Sequence, residues 1–192
     1  QTPLSRAAVS GYEKVLKMLL ERGDANPSAA TMFGQTPLSL AALHGHAGVV
    51  KTLLDRSDVN PETADNGGRT PLSWAVSRYG KDNVVEMLLD RNDVNPDMVD
   101  NGGRTPLSWA AEDGRQGAVM MLLNRSDVNP ERADNGSRTP LWWAAEEGRD
   151  EIAEMLLSRN DVNPDTANTY GWTPLSRTAR YGNMKVVKML LE

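Results

Sequence analysis

General acid–base and nucleophilic chemistry need a histidine, a thiol or two carboxylates converging on one atom. The sequence offers few of these. Its two histidines, His44 and His46, stand two residues apart. Cysteine is absent, which removes a thiolate nucleophile, disulfides and thiolate metal sites. Neighbouring acids such as Glu146-Glu147 point to different sides of a helix and do not form an acid–base pair. Thr169-Tyr170-Gly171-Trp172 and Gly67-Gly68 have the composition of turns rather than of phosphate cradles. The expectation is therefore a protein that is not an enzyme, with no cofactor and no metal site. What remains is binding by charged and aromatic side chains, and the elements that position them recur along the chain.

Thr-Pro appears at Thr2, Thr36, Thr70, Thr105, Thr139 and Thr173, with the prolines 34, 34, 35, 34 and 34 residues apart. A period of this length over the whole chain marks an array of small modules. It predicts one array over 1–192, with units starting near those six threonines and no separate globular domain. The hydrophobic fraction of 39% and aromatic fraction of 5% agree, because thin layers need fewer large apolar side chains than one central core.

Each unit parses alike. Thr can cap a backbone N–H and Pro fits the first helical position. A short helix follows, as in Pro106 to Asp113, and Gly114 ends it. Gly11, Gly45, Gly80, Gly148 and Gly182 are the equivalents. A second helix carries one apolar face, Val84, Val85, Met87, Leu88 and Leu89 in the third unit. Its stop is expected at Gly23, Ser57, Asn92, Ser126 and Asn160, where Gly and Asn suit a left-handed residue and the serines are unexplained. Asp-Val-Asn-Pro then blocks helix continuation, and Asp-Asn-Gly at Asp65, Asp100 and Asp134 predicts a tight turn. Neither helix is long enough to be stable alone, so each is expected to fold by covering its neighbour.

These residues resemble the ankyrin repeat, whose signature is Thr-Pro-Leu-His-x-Ala. Thr-Pro-Leu-Ser, the Ala-Ala pairs at Ala41, Ala110 and Ala144, Gly45-His46, Val49-Val50, Leu53-Leu54 and Asp58-Val59-Asn60 carry the resemblance over essentially the whole chain. It implies an all-α solenoid of antiparallel helix pairs with projecting β-hairpin or loop fingers. The usual His is replaced by Ser5, Ser39, Ser73, Ser108 and Ser176, and by Trp142 in the fifth unit, so the bonds of that His must be absent or shorter. The third unit has one extra residue within Ala75–Tyr79, where a bulge or a loosened last turn is expected. The link after the Leu-Leu pair is short, and the finger correspondingly long. The near-identical repeats are also similar to those of large fungal ankyrin proteins of signalling or innate-recognition type.

In that family fingers and first helices line a concave binding face. The resemblance thus implies a protein-binding module, such as the sensor or scaffold arm of a larger signalling protein, with a structural spacer as the alternative. Arg69, Arg104 and Arg138 form one row and Asp65, Asp100 and Asp134 another, while Glu112, Asp113 and Glu146 end first helices. They make either a charged groove for a polar or basic peptide or rows that pair with each other, at about 0–1 kcal/mol per exposed pair. Met32, Phe33, Tyr170 and Trp172 fall on fingers, as interface anchors or as local packing. Trp74, Trp109 and Trp143 take an inward position and need acceptors for their indole N–H groups. Trp142 is either packing or a groove anchor. His44 takes a groove-facing position, and His46 matches the family's Gly-His turn.

With 26 acids against 21 bases the chain lacks the clustered positive charge that nucleic acid requires. No apolar run approaches the ~18 residues that span a bilayer, and no signal peptide is visible. Another protein or peptide is the expected partner, with neither nucleic acid nor membrane. The lack of cysteine fits a reducing compartment, cytoplasmic or nuclear. The chain opens at Gln1 inside a repeat, and Val186, Val187, Met189, Leu190 and Leu191 keep an internal pattern. The expectation is a piece of a longer array with uncapped ends and an opening for end-to-end self-association.

Overall fold

The computed structural model describes residues 2–77, 79 and 81–191. It divides into two compact units that meet in sequence at Asn101 and Gly102. The first contains α1 (Pro3–Ser10), α2 (Glu13–Glu21), α3 (Pro37–Leu43), α4 (Ala47–Leu54), α5 (Pro71–Ala75) and α6 (Asp82–Leu89). The second contains α7 (Pro106–Asp113), α8 (Gln116–Leu123), α9 (Pro140–Glu146), α10 (Asp150–Leu157), α11 (Pro174–Tyr181) and α12 (Met184–Leu191). In the first unit α1, α3 and α5 pack in one row and α2, α4 and α6 in another. In the second, α7, α9 and α11 form one row and α8, α10 and α12 the other. This is the all-α repeat architecture expected. None of the helices among the described residues is long and apolar enough to cross a membrane.

Every first helix begins as the sequence predicts. Thr2, Thr36, Thr70, Thr105, Thr139 and Thr173 are extended, and each hydroxyl accepts the N–H three residues on, with Pro at the first helical position. The serines that replace the family's His bond into this same cap. Ser5 Oγ donates to the Thr2 carbonyl at 2.8 Å, Ser39 Oγ to that of Thr36 at 2.9 Å and Ser176 Oγ to that of Thr173 at 2.8 Å. Gly11, Gly114 and Gly182 close their helices at positive φ. Gly45 and Gly148 do so one residue after His44 and Glu147. Gly80 and Arg78 lie outside the described residues. In the third unit α5 ends early, at Ala75, and Ser77 Oγ donates to the Trp74 carbonyl at 2.7 Å; the remainder of the expected bulge falls on residues outside those described.

The core lies between the rows. Leu16, Leu38, Leu53, Leu72 and Leu88 are fully buried in the first unit, and Leu107, Leu122, Leu141, Ile152 and Leu156 in the second. Full burial of each is worth about 1.5–3 kcal/mol.

One expectation is corrected. The second helices do not stop on a left-handed residue at Ser57, Asn92, Ser126 or Asn160, for Ser137 is the only non-glycine at positive φ among the described residues. A recurring Arg-x-Asp clamp holds the chain there instead. The guanidinium groups of Arg56, Arg91, Arg125 and Arg159 bind Asp58, Asp93, Asp127 and Asp161 in bidentate fashion at 2.6–2.9 Å. Those hydrogen bonds hold the four aspartate carboxyls below their usual range. Arg91 also donates to the Leu54 carbonyl at 2.9 Å and Arg159 to that of Leu123 at 3.0 Å, satisfying orphan carbonyls at the end of the preceding repeat's helix.

Of the β-hairpin or loop fingers expected, the structure has loops, with no β-strand among the described residues. Each is too short for a ladder. Asp65 N–H reaches the Arg69 carbonyl at 3.0 Å, and Asp134 N–H the Arg138 carbonyl at 3.0 Å. Successive fingers join by single backbone bonds, Asn66 N–H to Phe33 O at 3.0 Å and Asn135 N–H to Gly102 O at 2.9 Å. Ser137, at φ 59°, occupies the place of Gly34, Gly68, Gly103 and Gly171, all at positive φ. A left-handed non-glycine costs about 1–2 kcal/mol. Ser137→Gly is therefore expected to stabilise the protein by about 0.5–1 kcal/mol once the extra freedom of the unfolded chain is subtracted. An unchanged or lower urea midpoint would refute it.

Candidate partner-binding surfaces

In the first unit the second finger is the exposed apolar feature. Met32 and Phe33 are 83% and 64% exposed. Their backbone is fixed from the next finger, where Asn66 donates its amide to the Met32 carbonyl at 3.0 Å. Beside them Val9, Gln35, Leu40 and the finger residues line a cavity of about 180 Å³. His44 is exposed at the end of α3, and its ring lies 6.0 Å from that of His46. Partial burial, then the His46 charge, lowers the His44 pKa from its ordinary value. His46 Nε2 bonds the Val9 carbonyl at 2.8 Å, a structural contact between repeats.

Asp65 and Arg69 in this unit are engaged in building the finger. Asp65 Oδ1 accepts from Gly67 N–H at 2.9 Å and Arg69 N–H at 3.0 Å, and its Oδ2 takes the Trp74 indole N–H at 3.0 Å. The Arg69 guanidinium lies 3.7 Å from the Trp74 ring centroid and donates to the Ser73 carbonyl.

Within the second unit, guanidinium groups and aromatic rings alternate in a column. Arg104 lies 3.5 Å from the Trp109 centroid and 4.0 Å from that of Trp143. Arg138 lies 4.2 Å from Trp143 and 5.6 Å from Trp142. Arg177 lies 5.4 Å from Trp142 and 5.0 Å from Tyr181. Acids hold the cations in register: Glu112 takes Arg104 at 2.7 Å, Asp134 takes Arg138 at 2.9 Å, and Glu146 pairs with Arg177. Trp142 and Trp143 meet edge to face at 5.3 Å. The charged rows thus pair among themselves, as the plainer sequence reading held, but through rings as much as through carboxylates. Each stack adds about 0.5–2 kcal/mol.

Placement of the candidates follows. Met32, Phe33, His44, Tyr170 and Trp172 are exposed. Arg69, Glu112, Asp113, Arg138 and Glu146 are half-buried, and Arg104 is buried. Of the two readings of Trp142, packing and groove anchor, the structure takes packing. Trp142 is 4% exposed, and its indole N–H donates to the Trp172 carbonyl at 3.1 Å. That bond fixes the sixth finger, where Tyr170 is 84% and Trp172 39% exposed. The two units each carry an aromatic finger of this kind. Sequence reasoning missed Arg177, Arg180 and Tyr181, and missed the column. Its signal was present: Arg69 and Trp74, Arg104 and Trp109, Arg138 and Trp143 recur at one fixed offset.

Comparison with known proteins places these features in context. The family model described as ankyrin repeats (3 copies) matches residues 4–100, 78–168 and 131–192. No curated protein matches the sequence. The structure is similar to the human ASB11 ankyrin repeat domain, at 26% identity and TM-score 0.83, covering 100% of this chain and 83% of that one. It is also similar to a chain of the complex between the predatory endopeptidase Bd0816 of Bdellovibrio bacteriovorus and immunity protein Bd3460, at 26% identity and TM-score 0.85, covering 100% and 97%. The ankyrin repeat domain of Bcl-3, of the IkappaB protein family, shares the fold at 24% identity and TM-score 0.84, covering 100% and 85%.

Proposed function

The chain belongs to the ankyrin-repeat family, and on that premise we propose that it holds a protein partner against its fingers and first helices, as the binding arm of a larger signalling protein. Ankyrin repeats are in general protein–protein interaction modules rather than enzymes. One observation carries the reading for this chain: large apolar side chains stand exposed on fingers whose backbones are already fixed. Phe33 and Trp172 are held this way, by bonds to their carbonyl oxygens from Asn66 and Trp142. Anchors that are rigid before binding lose little entropy on contact. The similar complex that contains an immunity protein supports a protein as partner. With the arginines, Glu112 and Glu146 engaged in the column, the candidate contacts narrow to Met32, Phe33 and His44 in the first unit, and to Asp113, Tyr170 and Trp172 in the second.

The test is affinity capture from the native source with the chain as bait, followed by mass spectrometry. Phe33→Ala and Trp172→Ala baits are expected to lose the captured partner, each by about 2 kcal/mol or roughly thirtyfold. Both side chains being replaceable without loss, in variants with unchanged unfolding midpoints, would favour a structural spacer. End-to-end association is a separate proposal, supported by Val15 and Met18, 46% and 67% exposed on α2. Light scattering that finds a strict monomer at high concentration would end it.

A further inference from the structure

The sixth repeat differs in charge from the rest of the protein. From Thr166 to Leu191 it carries Arg177, Arg180, Lys185 and Lys188 and no carboxylate, in a chain of net charge −5. Two of these cations are answered by the fifth repeat: Arg177 pairs with Glu146, and Lys185 lies 3.6 Å from Glu151 and 3.9 Å from Asp150. Arg180 is different. It is exposed, and no carboxylate among the described residues lies within ion-pair distance of it. Its guanidinium has one neighbour of note, the ring of Trp172, at 5.9 Å from the centroid.

The surroundings of Arg180 are built. On α11 it lies three residues from Arg177, on the same face, and the Arg177 guanidinium in turn lies 5.0 Å from the Tyr181 ring. Tyr181 is 57% exposed. The sixth finger is fixed by Thr169 N–H on the Gly136 carbonyl at 2.9 Å, and by Asn168 Oδ1, which accepts from Tyr170 and Trp172 N–H at 3.0 Å. Gly171 at its tip has nothing within 4 Å of where a side chain would begin, so the finger faces open space.

We propose that this surface binds an acidic peptide segment of the partner: Arg180 takes an Asp or Glu carboxylate, and Trp172 and Tyr170 take the apolar or aromatic residue beside it. A guanidinium fork matches a carboxylate in two parallel hydrogen bonds, and a flanking ring lowers the local dielectric around them. Single-stranded nucleic acid also combines anions with stackable rings. Its extended phosphate run would meet Glu147 and Glu151, both exposed on the fifth repeat, and the net negative charge beyond them. A short peptide need reach only Arg180. The proposal rests on the binding-module reading above and supplies the partner's chemistry.

The experiment is selection from a random peptide library displayed on phage, with the full chain as bait. Enriched peptides are expected to place Asp or Glu next to an aromatic or large aliphatic residue. A labelled consensus peptide should then bind about tenfold more weakly to Arg180→Gln and to Trp172→Ala, and more weakly in raised salt. Trp172→Phe guards against loss of the finger itself and should retain most of the binding. Lys188→Gln, on the opposite helix row, should bind as the parent does. Enrichment of basic or uncharged peptides, no enrichment, indifference to Arg180→Gln, or tighter binding of a single-stranded oligonucleotide would each overturn the proposal. None of these outcomes touches the module reading, which the capture experiment decides through Phe33 in the other unit.

Discussion

Trp143→Ala is expected to destabilise the protein by about 3–5 kcal/mol. The side chain is 8% exposed and fills the middle of the guanidinium–aromatic column, with Arg104 at 4.0 Å and Arg138 at 4.2 Å from its centroid. Truncation leaves a void and removes a ring from two cations at once. Trp143→Leu separates the contributions. Leucine refills much of the volume and forfeits two stacks, worth about 0.5–2 kcal/mol each. It also removes a buried indole N–H that has no hydrogen-bond acceptor, a group costing about 1–3 kcal/mol when left unsatisfied. The net loss for leucine is expected near 1 kcal/mol. Urea unfolding of the full chain measures both. Equal losses for alanine and leucine would mean that the column, not the volume, dominates.

Gly103→Ala is expected to cost about 3–4 kcal/mol, a large effect for one methyl group on a surface finger. Gly103 sits at φ +77°, where a Cβ strains the backbone, and that Cβ would lie 2.5 Å from Asn135 Oδ1 and 2.9 Å from Asn135 N. The same nitrogen makes the bond to the Gly102 carbonyl that joins the two fingers. Gly171→Ala is the control. It has φ +75° with nothing within 4 Å, so only the backbone penalty of about 1–2 kcal/mol applies. The difference between the two variants is the energy of finger-to-finger contact. If both cost the same, the fingers contribute nothing to cohesion between repeats.

The period, the caps and the buried faces were legible in the sequence because each depends on residues close together in the chain. Thr105 and Pro106 announce α7 by local chemistry alone. The stops after the second helices were not, because the arginine of each Arg-x-Asp clamp reads locally as a surface charge, and Arg91 and Arg159 also act across repeats. Arg91 looks like a solvated surface residue until its bond to the Leu54 carbonyl, one repeat back, is seen. Trp142 was ambiguous for a similar reason. Whether its indole faces a partner or the protein depends on a carbonyl thirty residues later in the chain, at Trp172. The candidate site divides along the same line. Exposure of Met32, Phe33 and Tyr170 follows from their places on fingers. Withdrawal of the arginines into the column follows from rings that arrive with neighbouring turns. Arg180 drew no attention because its significance lies in what is missing around it, a carboxylate such as the Glu146 that answers Arg177 on the same helix.

The finger amides bear on how the protein ages. Asn followed by Gly is a thermolabile pair: the glycine nitrogen can attack the side-chain amide, expel ammonia and leave a carboxylate after hydrolysis. In the folded fingers that nitrogen is occupied. Gly67 N–H is held by Asp65 Oδ1 at 2.9 Å and Gly136 N–H by Asp134 Oδ1 at 2.8 Å. The Asn66 amide is itself tied to Met32. Shelf life is thereby coupled to stacking: a frayed molecule would lose amides that an intact one keeps, and each loss would set a carboxylate against a carbonyl oxygen and ease the next opening. Peptide mapping after storage with and without mild denaturant reads this directly, and equal deamidation at Asn66 in both would show that the fold gives no shelter.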